Sequence, residues 1–275
     1  MKLSAIDFNN LIKRLIASAE LDDRSATIID KRFGLNTPET ATLQELGAQY
    51  GVTRERVRQL ESQAINGVKE SLSAFSELEE IRAFVSEHLG SVGDIRKDDL
   101  LVSEIFAVSK GAEDPLLFSN YLRFIFKLLE YPKFSPENEE SHDFWYSNDE
   151  AVMKMKAIVG KIVDELKGVE YFDEILRLAI EPHSITIPIA LGYVSVSKHI
   201  GVGPYGDIGL TSWEEINPKT VRAKAFLLLK RSAAPMHFTE IAKLIGSHAP
   251  TVHNELIKDP RFILVGRGTY SLKVK

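Results

Sequence analysis

Apolar residues recur every three to four positions through most of this chain, the spacing of one helix face rather than the alternation of a half-buried strand. Ile6, Leu11, Ile12, Leu15 and Ile16 set such a stripe with Lys13 and Arg14 outside it, predicting a helix from Ile6 to Ala19. Leu21 to Phe33 predicts a second, and the turn-rich GLNTPETA leads out of it. Thr42 followed three residues later by Glu45 is a capping-box signature. It opens a third helix with Leu43, Leu46 and small Gly47 on its apolar side, ended by Tyr50 and Gly51. Thr53 caps a fourth, in which Val57, Leu60 and Ala64 form the buried stripe.

That fourth helix leaves Arg54, Glu55, Arg58 and Gln59 on another face within two turns of its N-terminus. Two short helices meeting at a tight turn form a helix-turn-helix, and its recognition helix presents base-reading side chains at such positions. Arginine pairs twice with guanine, glutamine pairs twice with adenine, and glutamate accepts from the cytosine amino group. Glu55 is the most telling of the four, because an acid facing DNA opposes nonspecific binding and makes sense mainly as a base reader. The alternative is a solvated face whose arginines pair with neighbours such as Glu61. The capped preceding helix and the glycine turn favour DNA.

From Val68 the helix is expected to run on through Leu72 and Phe75 to a new one near Glu77, beyond which one order of elements recurs. Leu78 to Leu89, Ser103 to Ala107 and Phe118 to Leu129 predict helices, and HDFWYS a short aromatic strand. Val152 to Leu166 and Phe172 to Ala179 predict helices ahead of the strand candidate YVSVSKHIG and its return IGLTSW. Thr220 to Lys230, Thr239 to Ile245 and Pro250 to Lys258 precede RFILVGRGTYSLKV, two alternating strands about a Gly-Arg-Gly turn with Arg267 at its tip. Helices followed by a strand hairpin are the order of a winged helix. The expected fold is therefore mainly α. A helix-turn-helix domain over 1–76 precedes tandem winged-helix modules with small β-hairpin wings over 77–150, 151–212 and 213–275.

A net charge of −5 argues against nucleic acid until its distribution is considered. Residues 1–76 carry ten basic and ten acidic groups, 77–212 thirteen against twenty-four, and 213–275 eleven against five. The compensated N-terminal part and the basic C-terminal part are suited to DNA, while the acidic centre suits protein contacts. No cysteine is present, so there is neither a disulfide framework nor a thiolate metal site. With no signal peptide or apolar run long enough to span a bilayer, a cytoplasmic protein with no membrane partner is expected.

The stretch from Arg32 to Ile65, RFGLNTPETATLQELGAQYGVTRERVRQLESQAI, resembles region 4 of the primary bacterial sigma factors, and the resemblance extends over 24–70. It implies that Arg54, Glu55, Arg58 and Gln59 face bases of the upstream promoter hexamer. By the same resemblance Arg24, Arg32, Thr42, Leu43 and Arg56 lie along the phosphate backbone. It further implies contact with the β flap of RNA polymerase through the apolar surface of the same small domain. Where family members continue with further Lys and Arg, this chain has Gln63, Asn66 and Gly67 before Lys69, which removes the basis for phosphate contacts from that end. Strand-capture and clamp-binding segments would precede region 4 in a complete sigma factor. With about twenty residues ahead of it here, promoter opening by this chain alone is not expected.

Residues 217–272, from VRAKAFLLLKRSAAPMHFTEIAKLIG through APTVHNELIKDPRFILVGRGTYSL, resemble the HARE-HTH winged-helix family, also found in the RNA polymerase delta subunit. Thr251, His253, Asn254 and Lys258 would lie on its third helix and, with Arg267, form a candidate second surface for DNA or a partner. That family implies a transcription context more firmly than DNA contact.

Other chemistry is weaker. Gly201, Gly203 and Gly206 spell GxGxxG, but Pro204 and a return strand follow where a nucleotide site needs a helix N-terminus, so a hairpin is expected. His248 and His253 lack the partners of a metal site and are expected to be surface histidines. Glu137, Glu139, Glu140 and Asp143 lack a calcium-loop glycine, and Trp145 and Tyr146 are expected to complete a core. With no nucleophile beside a base, neither an enzyme, a cofactor nor a small-molecule substrate is expected. The expected function is a sequence-specific regulator that binds double-stranded promoter-like DNA and associates with RNA polymerase. The alternatives are a polymerase-binding adaptor or anti-sigma-like protein, and, on HARE-HTH company alone, the DNA-recognition subunit of a restriction-modification system.

Overall fold

The computed structural model describes residues 3–109, 114–168, 177–178 and 180–273. Helices dominate, and the chain divides into two compact units, one of residues 1–157 with 186–196 and one of 158–185 with 197–275.

In the first unit α1 (Phe8–Ser18) is capped by Asp7 and α2 (Asp23–Phe33) by Asp22, each carboxylate accepting from a backbone N–H three residues on. Then come α3 (Leu43–Tyr50), α4 (Arg54–Glu70), α5 (Ser76–Ser91), β1 (Ile95–Lys97), α6 (Asp98–Val108) and α7 (Pro115–Leu129). The hairpin β2 (Lys133–Ser135) and β3 (Phe144–Tyr146) follows, and β3 lies centrally in an antiparallel sheet ordered β1-β3-β2. Helix α4 does not run into α5: it stops at Glu70, and a 3-10 turn over Leu72–Ala74 intervenes.

Two buried clusters organise this unit. A small one, Ile28, Leu46, Val57 and Leu60, joins α2, α3 and α4. A large one runs from Leu3 to Trp145 and joins the outer side of α2 and the later turns of α4 to α1, α5, α6 and α7. Apolar packing is therefore continuous across residue 76.

Helix α8 (Asp149–Glu165) is followed, after a partly undescribed stretch, by α9 (Ile187–Val196). Of the strand expected over YVSVS, Tyr193–Val196 is helix and Ser197 forms an isolated bridge, and the hairpin pairing begins at Ile200. Gly192 lets this helix lie hard against β1. A Cβ on Gly192 would sit 2.9 Å from the Val92 carbonyl, and the Tyr193 hydroxyl donates to the Gly93 carbonyl at 3.1 Å. Of the expected helix Phe172 to Ala179, all but residues 177–178 lies outside the described residues.

In the second unit β4 (Ile200–Val202) and β5 (Ile208–Leu210) pair as a hairpin around the GxGxxG glycines. The C-terminal part runs α10 (Val221–Ser232), β6 (Met236–His237), α11 (Phe238–Ile245), α12 (Ala249–Lys258), β7 (Phe262–Gly266) and β8 (Thr269–Leu272), with a sheet ordered β6-β8-β7. Its core gathers Leu229, Ile241, Val252, Leu256, Phe262 and Tyr270. No helix among the described residues is long and apolar enough to cross a membrane.

Candidate nucleic-acid interface

Helix α3 starts where the capping box places it. The Thr42 hydroxyl accepts from Glu45 N at 3.2 Å and the Glu45 carboxylate accepts from Thr42 N at 2.7 Å, a bond that holds the carboxyl below its ordinary range. The turn to α4 is tight because of two glycines. Gly51 takes φ +63°, and at Gly47 an added Cβ would fall 2.8 Å from the Val52 carbonyl. Thr53 then caps α4, accepting from Arg56 N at 3.2 Å. Val57 and Leu60 turn inward onto Leu46 and Ile28, and Ala64 continues the stripe.

The inward stripe leaves Arg54, Glu55, Arg58 and Gln59 exposed together in the first two turns. Arg58 grips Glu55 with both ends of its fork, Nε to Oε2 at 2.9 Å and Nη2 to Oε1 at 2.7 Å. Those bonds hold the Glu55 carboxyl below its usual range and raise the Arg58 guanidinium. Gln59 accepts from Arg56 at 3.3 Å. The face is thus partly self-paired, though Glu61 is not the partner: it lies half-buried against Arg32.

Around this face the residues expected at phosphates differ in kind. Arg24 is exposed, its guanidinium 5.2 Å above the Tyr50 ring, and Arg56 is exposed on α4. Thr42 spends its hydroxyl on the cap, and the Leu43 side chain packs against the small core, so the first-turn amides of α3 are what they offer an anion. Arg32 acts as a brace, donating to the Ala41 carbonyl at 2.6 Å and to Glu61 at 3.3 Å. Sequence reasoning gave no sign of that role.

Residues 19–70 match the sigma-70 region 4 family. This stretch is a sigma-70 region 4 domain. Over 50 residues the chain is 48% identical to the RNA polymerase principal sigma factor HrdD of Streptomyces griseus, spanning 18% of this chain and 15% of that protein. It is 38% identical over 73 residues to the HrdD proteins of Streptomyces coelicolor and Streptomyces viridifaciens, 24% of this chain and 22% of each. The chain therefore spans less than a quarter of the length of these relatives, and the likeness concerns the region 4 domain alone.

The region 4 domain has a second apolar side, which sequence reasoning left open for a partner. Ile29, Leu35, Ala64, Ile65 and Val68 are covered by the large cluster, to which α7 contributes Phe118, Tyr121, Leu122, Phe124, Ile125, Phe126 and Leu128. Phe33 meets Phe124 edge-on at 5.0 Å, and the buried Asn120 amide donates to the carbonyls of Gly34 at 3.0 Å and Pro38 at 3.1 Å. The signal was present: α7 is apolar on more than one stripe, the pattern of a helix buried on several sides.

In the C-terminal part Thr251, Asn254 and Lys258 are exposed on α12, and Arg267 is exposed at the hairpin turn. His253 is half-buried. Its ring lies between Phe238 and Tyr270, at 4.7 and 5.8 Å, and its Nδ1 is 3.1 Å from the Tyr270 hydroxyl. It packs at the edge of that core and stays partly exposed beside Thr251 and Asn254. Trp145 is buried, as expected.

Proposed function

We propose that the protein is a transcription regulator that reads a promoter-like duplex through Arg54, Glu55, Arg58 and Gln59 and associates with RNA polymerase. The single observation that supports it most is the exposure of these four side chains together on the first two turns of a helix whose opposite stripe is packed. On DNA, the Glu55–Arg58 pair opens so that Arg58 takes a guanine and Glu55 a cytosine amino group, exchanging one bidentate partner for another. Arg24, Arg56 and the first amides of α3 hold the phosphates on either side. A titration against duplexes with and without the upstream promoter hexamer tests this, and equal affinities would sink sequence-specific reading.

In the same proposal the chain carries modules over 1–76, 77–150, 151–212 and 213–275. The parts 77–150 and 213–275 are winged helices, the latter, through 217–272, of HARE-HTH type. Each runs helix, strand, helix, helix, hairpin, with its first strand against its last, which supports the assignment. To reach the second apolar side of the region 4 domain, the β flap would have to displace α7.

The adaptor alternative draws on a different observation: Gln63 and Asn66 stand exposed where a basic extension would reach phosphates. Pull-down of the isolated β flap with Arg54 and Arg58 both changed to alanine separates the two. Retention of the flap together with retained regulation favours the adaptor. Loss of regulation favours the DNA reader.

A further inference from the structure

Helix α7 and the β2–β3 hairpin border an open groove of about 580 Å³ in the first unit. Arg123 and Lys127 line it one turn apart on α7, and Lys133 lines it from β2. Phe134 is 44% exposed and leans on Trp145 at 4.7 Å between centroids. Tyr146 lies alongside, with the Lys133 ammonium 5.8 Å from its ring centroid. Behind these rings sits a buried carboxylate, Asp98, which accepts from the Trp145 indole at 2.7 Å and from Arg123. It anchors one end of the guanidinium, while the Arg123 side chain stays 46% exposed with further N–H donors to offer. Glu130 lines the groove and bonds Lys69, while Asp149, outside the lining, bonds Lys133 at 2.8 Å, a pair that Lys133 exchanges when it takes a phosphate.

We propose that this groove binds an unpaired nucleic-acid strand, with bases on Phe134 and Tyr146 and phosphates on Arg123, Lys127 and Lys133. An exposed ring, Phe134, and a half-buried one, Tyr146, beside cations are the composition of single-strand sites, since an unpaired base offers a π face that a duplex keeps stacked. Charge points the same way. Residues 77–212 carry twenty-four acidic groups against thirteen basic ones, yet Arg123, Lys127 and Lys133 gather on this one groove. The site is separate from the base-reading face. Glu130 at the groove bonds Lys69 in the last turn of α4, about 16 Å of helix rise beyond Arg58, so the proposal does not rest on promoter reading.

The test is fluorescence anisotropy of the full chain with a labelled oligo-dT strand and, separately, with a labelled duplex. Wild type binds the strand. Phe134→Ala and Lys127→Glu, both at exposed positions, each weaken strand binding by about five-fold or more and leave duplex binding unchanged, whereas Arg58→Ala does the reverse. Thermal melts confirm folding, and if Phe134→Ala does not fold, Lys127→Glu carries the same comparison. No strand binding by the folded wild type, strand binding indifferent to both substitutions, or displacement of the strand by an oligo-glutamate peptide that binds more tightly would overturn the proposal.

Discussion

Helices α4 and α7 each follow a shorter helix in their part of the first unit, and they put that position to opposite use. Helix α4 buries one stripe and leaves Arg54, Glu55, Arg58 and Gln59 to solvent. Helix α7 buries Phe118, Tyr121, Leu122, Phe124, Ile125, Phe126 and Leu128, and leaves outside Leu116 in its first turn and the groove-lining pair Arg123 and Lys127. Place in an order of helices therefore does not make a reading element. What the packed stripe leaves uncovered does, and the packed sides of α7 hold the region 4 domain to the rest of its unit.

The contrast breaks first at α7. Phe124→Ala removes a fully buried ring that meets Phe33, and is expected to cost about 3–5 kcal/mol in urea unfolding. A cost near that of a surface substitution would mean that α7 does not hold the unit. Asn120→Ala comes next, at about 1–3 kcal/mol, because it strips the Gly34 and Pro38 carbonyls of their buried donor. Smallest is the pH response of the reading face. Arg58 holds the Glu55 carboxyl below its ordinary range, so the pair is present above that range and is lost as pH falls through the lowered value. Between about pH 5 and 8 the Glu55–Arg58 pair keeps both charges, and its contribution to duplex affinity is expected to be flat. A carboxyl titration of Glu55 in that window, followed by NMR, would contradict the pairing.

The helix-turn-helix was legible in the sequence because its signals are local. Thr42 and Glu45, Gly47 and Gly51, Thr53 and the Val57–Leu60–Ala64 stripe all act within a few residues, and each occupies its expected place. YVSVS misled because Tyr193, Val194 and Val196 interleaved with serines resemble a strand while the apolar run before them suits a buried helix, and Gly192 decides between them only through its approach to Val92. Arg32 and His253 make contacts that no local signal gives. A polar side chain is read as surface until its distant partners, Glu61 and Ala41 for one, Phe238 and Tyr270 for the other, are known. The two-sided burial of α7 was visible in its composition, though not what covers it.

The central claim is that α4 reads bases, and it is tested most directly by the affinities of wild type and Arg58→Ala for duplexes carrying each base pair in turn at every position of the hexamer. Arg58→Ala is expected to lose about 1–3 kcal/mol on the preferred sequence and to relax discrimination at the position it contacts while leaving the others intact. A uniform loss across all sequences, with a shallower salt dependence and unchanged discrimination, would contradict base reading and reduce Arg58 to a phosphate contact.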